Sequence, residues 1–256
     1  MLTRNELYRF ILDLPRTTDN PDLYLPEMDD LYFLYSLVRE KAVTSILEFG
    51  SGWSTCVLSL ALQENQEDFG AKHKNLIRHP NPFRILTIDA SRQFQEIALS
   101  RIPKSQQNNL EAITATPQLI ELNGVICHKF DILPNFAPDL IYLDGPDHDQ
   151  VQGELNSFRY LDSYTQPMGA DILMIEPFLW PETMIVTDGR TANARFLSSR
   201  LSRNWQVLHD PFGDRTIFRL DETPLGLISE QHIIFRLEQA RSQSEKELPE
   251  GSRKRL

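Results

Sequence analysis

Ile46-Leu47-Glu48-Phe49-Gly50-Ser51-Gly52-Trp53-Ser54-Thr55 brings an acid, two glycines and two hydroxyls into one short stretch. An apolar run leads in and a helical pattern leads out, so the glycines fall at a strand-to-helix turn. There the missing Cβ lets the backbone bend tightly and come close to a ligand. The helix start offers free N–H groups, which Ser54 or Thr55 is placed to cap. Glu48 lies two residues before Gly50, where a carboxylate suits a cationic ligand and would repel a pyrophosphate. Trp53 is placed to stack beside such a ligand or to close its pocket.

Three further strand ends carry polar chemistry. Asp89 closes an apolar run, and a carboxylate there can accept two hydrogen bonds from a cis diol; a helix N-cap is the structural alternative. Asp144 closes Leu140-Ile141-Tyr142-Leu143 and opens Asp144-Gly145-Pro146-Asp147-His148. His148 titrates near neutral pH and is a candidate general base, with Asp147 or Asp149 raising its basicity; its structural alternative is to order the loop. Asp188 closes the run from Thr183 to Thr187. Asp144 and Asp188, on neighbouring strand ends, are candidate ligands for Mg²⁺, with waters completing the shell. Arg190 and Asn193 follow, either to hold an anionic or polyhydroxylated substrate or to cap and pair locally.

These side chains need strands that end on one edge of a sheet. Apolar spacing predicts helices over Asn5–Leu14 and Met28–Lys41, then a strand over Val43–Phe49 and a helix over Ser54–Gln63. Glu64–Pro82 is polar and reads as a long loop or insertion. Phe83–Asp89 is a strand and Gln93–Arg101 a helix. Ile113–Leu122 and Val125–Phe130 read as extended around Asn123-Gly124, a hairpin dipeptide. Leu140–Leu143 and Thr183–Thr187 are strands, and Val151–Tyr164 and Thr191–Leu201 helices. Trp205–Leu208 and Thr216–Leu220 form a final strand pair, while Ile172–Ile175 is apolar but unassigned. Strands that are apolar without alternation are buried on both faces, as in a parallel sheet. The expected fold is a doubly wound, mostly parallel, seven-stranded Rossmann-like α/β sheet. It carries an antiparallel C-terminal strand pair and N-terminal accessory helices. The expected division is a helical extension over 1–42, a Rossmann-like domain over 43–222 and a C-terminal segment over 223–256, mobile from Ser242.

With 41% hydrophobic and 24% charged residues, the 256-residue chain belongs with soluble globular proteins. A net charge of −10 argues against general nucleic-acid affinity, which rests on Lys and Arg neutralising phosphates. Cys56 and Cys127 form neither a disulfide framework nor a CxxC zinc pair. No run approaches a membrane span, and the N-terminus lacks a signal-peptide pattern, so the expected location is cytoplasmic and no membrane partner is expected. The N-terminal helices would serve a homodimer contact.

Glu48-Phe49-Gly50-Ser51-Gly52 resembles the first motif of class I S-adenosylmethionine-dependent methyltransferases. Asp144-Gly145-Pro146-Asp147-His148 resembles a segment of the O-methyltransferase subgroup of that family. The resemblance implies that Glu48, Gly50, Ser51, Gly52, Trp53, Ser54, Asp89 and Asp144 bind S-adenosylmethionine, with Asp89 on the ribose. It also implies methyl transfer to a small-molecule acceptor, most simply a hydroxyl oxygen, with His148 and Asp144 catalytic and Asp188, Arg190 and Asn193 toward the substrate. Some members hold a divalent cation between these strand ends, but they carry two adjacent acid or amide residues where this chain has Asp188-Gly189. A nicotinamide-dependent oxidoreductase shares the fold and Asp89. It is opposed by Glu48, by Thr55 at the third glycine position and by the lack of a Tyr-x-x-x-Lys pair. A non-enzymatic nucleoside-binding protein on this fold is the third reading.

Overall fold

The computed structural model describes residues 1–15, 25–76, 79, 81–162 and 166–247. Helices α1 (Arg4–Asp13) and α2 (Met28–Glu40) precede β1 (Ser45–Phe49), α3 (Trp53–Leu76), β2 (Arg84–Asp89), α4 (Arg92–Arg101), α5 (Lys104–Gln107) and β3 (Leu110–Thr114). Then follow β4 (Pro117–Leu122), β5 (Val125–Phe130), β6 (Leu140–Leu143), α6 (Asp171–Ile175), β7 (Met184–Asp188), α7 (Thr191–Arg200), β8 (Trp205–Asp210), β9 (Arg215–Leu220) and α8 (Leu227–Glu247).

The main sheet has seven strands in the order β3-β2-β1-β6-β7-β9-β8. The first five are parallel, and β9 runs antiparallel to both β7 and β8. The order reverses direction between β1 and β6, which opens a crevice at their carboxyl ends, where open α/β sheets take ligands. This is the expected seven-stranded, doubly wound fold.

Strand alternation divides the core into two layers. Ile46, Ile85, Leu140, Tyr142, Met184 and Val186 face a layer that includes Leu7, Leu34, Tyr35, Val57, Leu58 and Phe235. Leu47, Phe49, Leu86, Ile141, Leu143 and Ile185 face the other, with Cys127, Phe130, Ile172 and Leu197. The N-terminal helices and α8 therefore share one core with the sheet. Asp139, just before β6, anchors α8 by accepting from His232 Nε2 and Arg236 Nη1, both at 2.9 Å, while Thr44 donates to its other oxygen. Burial works to raise the Asp139 pKa, but Arg236 and His232 outweigh it and hold the carboxyl well below its usual range.

Four local expectations need correction. Glu64–Leu76 is not a loop: α3 continues to Leu76, because Leu62, Asn65, Phe69 and His73 make one buried face at helical spacing. Ile113–Leu122 is not one extended element. It divides between β3 in the main sheet and β4, which pairs with β5 in a separate hairpin. The stretch from Val151 is not an α-helix, because Gly153, Asn156 and Ser157 all take positive φ, and only Tyr160–Asp162 makes a short 3-10 turn. Its Gln152 instead exchanges backbone hydrogen bonds with Pro117 and Leu119 beside β4; Tyr164, the end of that expected helix, lies outside the described residues. Of the tail expected from Ser242 to Leu256, Ser242 to Glu247 continues α8, and residues 248–256 lie outside the described residues. Ile172–Ile175, unassigned from sequence, falls in the short helix α6. No helix among the described residues is long and apolar enough to cross a membrane.

Candidate functional site

The carboxyl ends of β1, β2, β6 and β7 surround one cavity of about 340 Å³. Its lining contains Gly50, Ser51, Gly52, Trp53 and Ser54 from the β1–α3 turn, Asp89, Asp144 and Gly145, and Asp188 and Arg190. Residues from four separate stretches of chain thus meet as the sequence implied. Glu27 and Asp30 reach it from the start of α2, and Phe94, Ile97 and Arg101 from one face of α4.

The turn is pinned from both sides. Gly50 has a φ of +97°, and a Cβ built there would stand 2.9 Å from Gly145 N. Ser51 N donates to Asp89 Oδ2 at 2.6 Å, and Ser91 N donates to Asp89 Oδ1 at 2.6 Å. A carboxylate has about four acceptor sites, so Asp89 retains lone pairs for a diol while it holds the turn. Burial raises its pKa despite these backbone donors.

Glu48 is placed differently from the expectation. It shares the face of Ile46, under α3, and is fully buried. It accepts from Ser54 Oγ and Thr55 Oγ1, each at 2.7 Å, and does not line the cavity. Burial pushes its pKa up to about 8, against the hydroxyls of Ser54, Thr55 and Thr87. It ties the first turn of α3 to β1.

His148 is exposed and lies outside the cavity, because the Pro146–Gln150 loop turns it toward solvent and brings Asp147 and Gln150 inward. Asn193 is fully buried, accepts from Gly169 N at 3.2 Å and does not line the cavity. Arg190 lines the cavity but is held locally. Its Nη1 donates to Pro146 O at 2.8 Å, its Nη2 donates to Asp144 O, and the guanidinium lies 3.9 Å from the Asp144 carboxylate and 3.6 Å from that of Asp147.

Asp144 opens onto a rim of carboxylates. Although its side chain is half-exposed, desolvation within the cavity pushes its pKa up to about 7; Arg190 opposes the rise, and Asp188, Asp147 and Glu27 add to it. Asp188 accepts from Tyr142 Oη at 3.1 Å, and its pKa is raised by burial and by Asp30. The opening continues past Asp188 to Asp214.

A divalent cation fits Asp144 and Asp188 poorly. Arg190 already supplies positive charge at Asp144, and Tyr142 donates to Asp188. Among the described residues, the one grouping of three potential metal ligands is His79, Asp139 and His232, where Arg236 and Thr44 satisfy the carboxylate.

Sequence reasoning missed Arg101, Phe94, Glu27 and Asp30. The i, i+3, i+7 spacing of Phe94, Ile97 and Arg101 on α4 was a signal that these three share a face.

No family model and no curated protein matches the chain. Solved structures do. The O-methyltransferase TomG from Streptomyces achromogenes, in complex with SAM, shares 17% identity over 87% of this chain and 100% of its own, with a TM-score of 0.43. The SAH-bound Podospora anserina methyltransferase PaMTH1 shares 16% over 86% and 88%, with a TM-score of 0.45. An O-methyltransferase from Bacillus cereus in complex with SAH shares 16% over 86% and 90%, with a TM-score of 0.40. At such identities and scores the likeness carries no argument, and the strand order and cavity of this chain stand on their own geometry.

Proposed function

We propose that the chain is an S-adenosylmethionine-dependent methyltransferase acting on a small-molecule acceptor. The observation that carries this reading is the convergence of the Gly50–Ser54 turn, Asp89 and Asp144-Gly145 on one cavity at the switch point of the sheet. The residues fit the cofactor: a glycine turn for close backbone approach, a carboxylate with spare acceptors for a ribose diol, and apolar walls from Phe94, Ile97 and Phe130 for a base.

When bound, S-adenosylmethionine supplies an electrophilic methyl group. The chain's part is to align the acceptor with it and to take the acceptor's proton. Asp144 is the group placed for the second task, because it lines the cavity and titrates near neutrality. The carboxylate rim of Glu27, Asp30, Asp147 and Asp188 favours a neutral hydroxyl or a cationic amine over an anionic acceptor.

Differential scanning with S-adenosylhomocysteine tests the reading. Ligand at about one hundred times Kd stabilises by about 2.7 kcal/mol, which raises Tm by several degrees. A rise with S-adenosylhomocysteine and none with NADH supports the proposal. A rise with NADH alone transfers the site to the oxidoreductase reading.

A further inference from the structure

Four arginines are buried among the described residues: Arg39, Arg101, Arg190 and Arg236. Three have carboxylate partners. Arg39 pairs with Glu64 and Asp68, Arg190 with Asp144 and Asp147, and Arg236 with Asp139. Arg101 differs. It is 4% exposed, it lines the cavity, and its guanidinium carbon stands 3.8 Å from the centre of the Trp53 ring. Its Nε has no hydrogen-bond partner, as is true of the other three, but among the described residues it alone of the four has no carboxylate partner.

A guanidinium stays charged in a protein, and a buried charge calls for a partner. The titratable neighbour, Cys56, does not supply one. Burial pushes its thiol up to about 12, and its sulfur faces the Gly52 and Ala98 carbonyls. The C-terminal end of α4 favours a cation, and the Trp53 face adds to that. Neither gives the fork of N–H donors an acceptor. Most acids of the cavity come from the ends of β6 and β7, the loop after β6 and the start of α2, while Asp89 at the end of β2 accepts from Ser51 N and Ser91 N. Of the two arginines that line the cavity, Arg190 is taken up by Asp144 and Asp147, which leaves Arg101 as the one without a carboxylate partner among the described residues.

We propose that Arg101, laid over Trp53, is the carboxylate receptor of this cavity. The inference rests on the methyltransferase reading for the identity of the ligand. The amino-acid end of the cofactor is one source of such a carboxylate, and an acid-bearing acceptor is the other. The carboxylate rim of Glu27, Asp30, Asp147 and Asp188 favours the cofactor, whose ammonium and sulfonium offset its carboxylate, over an anionic acceptor.

The test compares S-adenosylhomocysteine with 5′-methylthioadenosine, which keeps the nucleoside and sulfur but lacks the amino-acid end. Both are titrated calorimetrically into the wild type, Arg101→Gln and Arg101→Lys. The expected result is at least a tenfold loss of S-adenosylhomocysteine affinity in Arg101→Gln, partial recovery in Arg101→Lys, and methylthioadenosine affinity within twofold throughout. If Arg101→Gln leaves S-adenosylhomocysteine affinity unchanged, acetate is titrated into the S-adenosylhomocysteine-saturated proteins with tryptophan fluorescence as readout. A saturable response in the wild type alone assigns the receptor to an acceptor carboxylate. Equal losses for both nucleosides mean that Arg101 merely supports the fold, and no response in either arm leaves it without a ligand; each overturns the proposal. Wild-type protein that binds neither nucleoside contradicts the methyltransferase reading instead, and acetate titration of the free protein still tests Arg101.

Discussion

Gly50 and Gly145 meet backbone to backbone. A Cβ built on Gly145 would stand 2.8 Å from Gly50 Cα, and one built on Gly50 would stand 2.9 Å from Gly145 N. The ends of β1 and β6 approach this closely because neither residue carries a side chain, and the floor of the cavity is the result. Gly145→Ala forces two backbones apart, so a loss of about 1–3 kcal/mol is expected, with weaker nucleoside binding. Gly52, with nothing within 4 Å of its would-be Cβ, provides the control. Gly52→Ala is expected to change stability by no more than about 1 kcal/mol. Urea denaturation of both variants checks the contrast; equal effects would contradict the close approach.

Asp89 combines a structural and a ligand role. Asp89→Ala is expected to weaken S-adenosylhomocysteine at least tenfold, about 1.4 kcal/mol. Methylthioadenosine should weaken equally, because both molecules carry the ribose. Calorimetry on the two ligands separates this from the Arg101 effect, which discriminates between them. Unchanged affinity would remove Asp89 from the ribose site.

Turnover is expected to depend on Asp144 and not on His148. A general base works deprotonated, so kcat should rise with pH through about 7, where Asp144 titrates. Asp144→Asn should abolish that rise and lower kcat by about 10²–10⁴-fold, while the exposed His148→Ala keeps the wild-type profile. Chelator should leave activity unchanged. A profile lost in His148→Ala, or activity restored only by Mg²⁺, would reverse these assignments.

Glu48 makes stability depend on pH with a definite sign. Its folded pKa is raised to about 8 by burial, so the folded state binds the proton more tightly than the unfolded chain. That contribution is full below the unfolded pKa of about 4.3. It is lost progressively as pH rises toward about 8, by about 1.4 kcal/mol per pH unit for one proton. Glu48→Gln keeps the shape without the ionisation, so its Tm should gain on the wild type between pH 5 and pH 8.5. Thermal melts across that range check this. A parallel pair of curves would show that Glu48 does not titrate with folding.

The strand ends were legible because each is local: an apolar run followed by Gly or Asp reads the same in sequence and in space. Asp89, Asp144 and Asp188 meet at one cavity for that reason. The direction of Glu48 was not legible, since β1 is buried on both faces and polarity does not tell one face from the other. The second half of α3 was hidden by polar residues around Phe69, and the loop from Val151 had helical spacing that the left-handed Asn156 and Ser157 override. His148 lay beside the right strand but on the wrong side of its loop. Arg101 belongs to no motif. Its role is a matter of which charge lacks a partner after folding, and only the packed structure states that.

The central claim is that the cavity takes an S-adenosyl ligand, and calorimetric titration of the wild-type chain with S-adenosylhomocysteine, with NADH as control, tests it most directly. The account predicts one site per chain with micromolar or tighter Kd, about −8 kcal/mol, and no heat of binding with NADH. NADH binding at that site without S-adenosylhomocysteine binding would contradict it, and so would heat from neither.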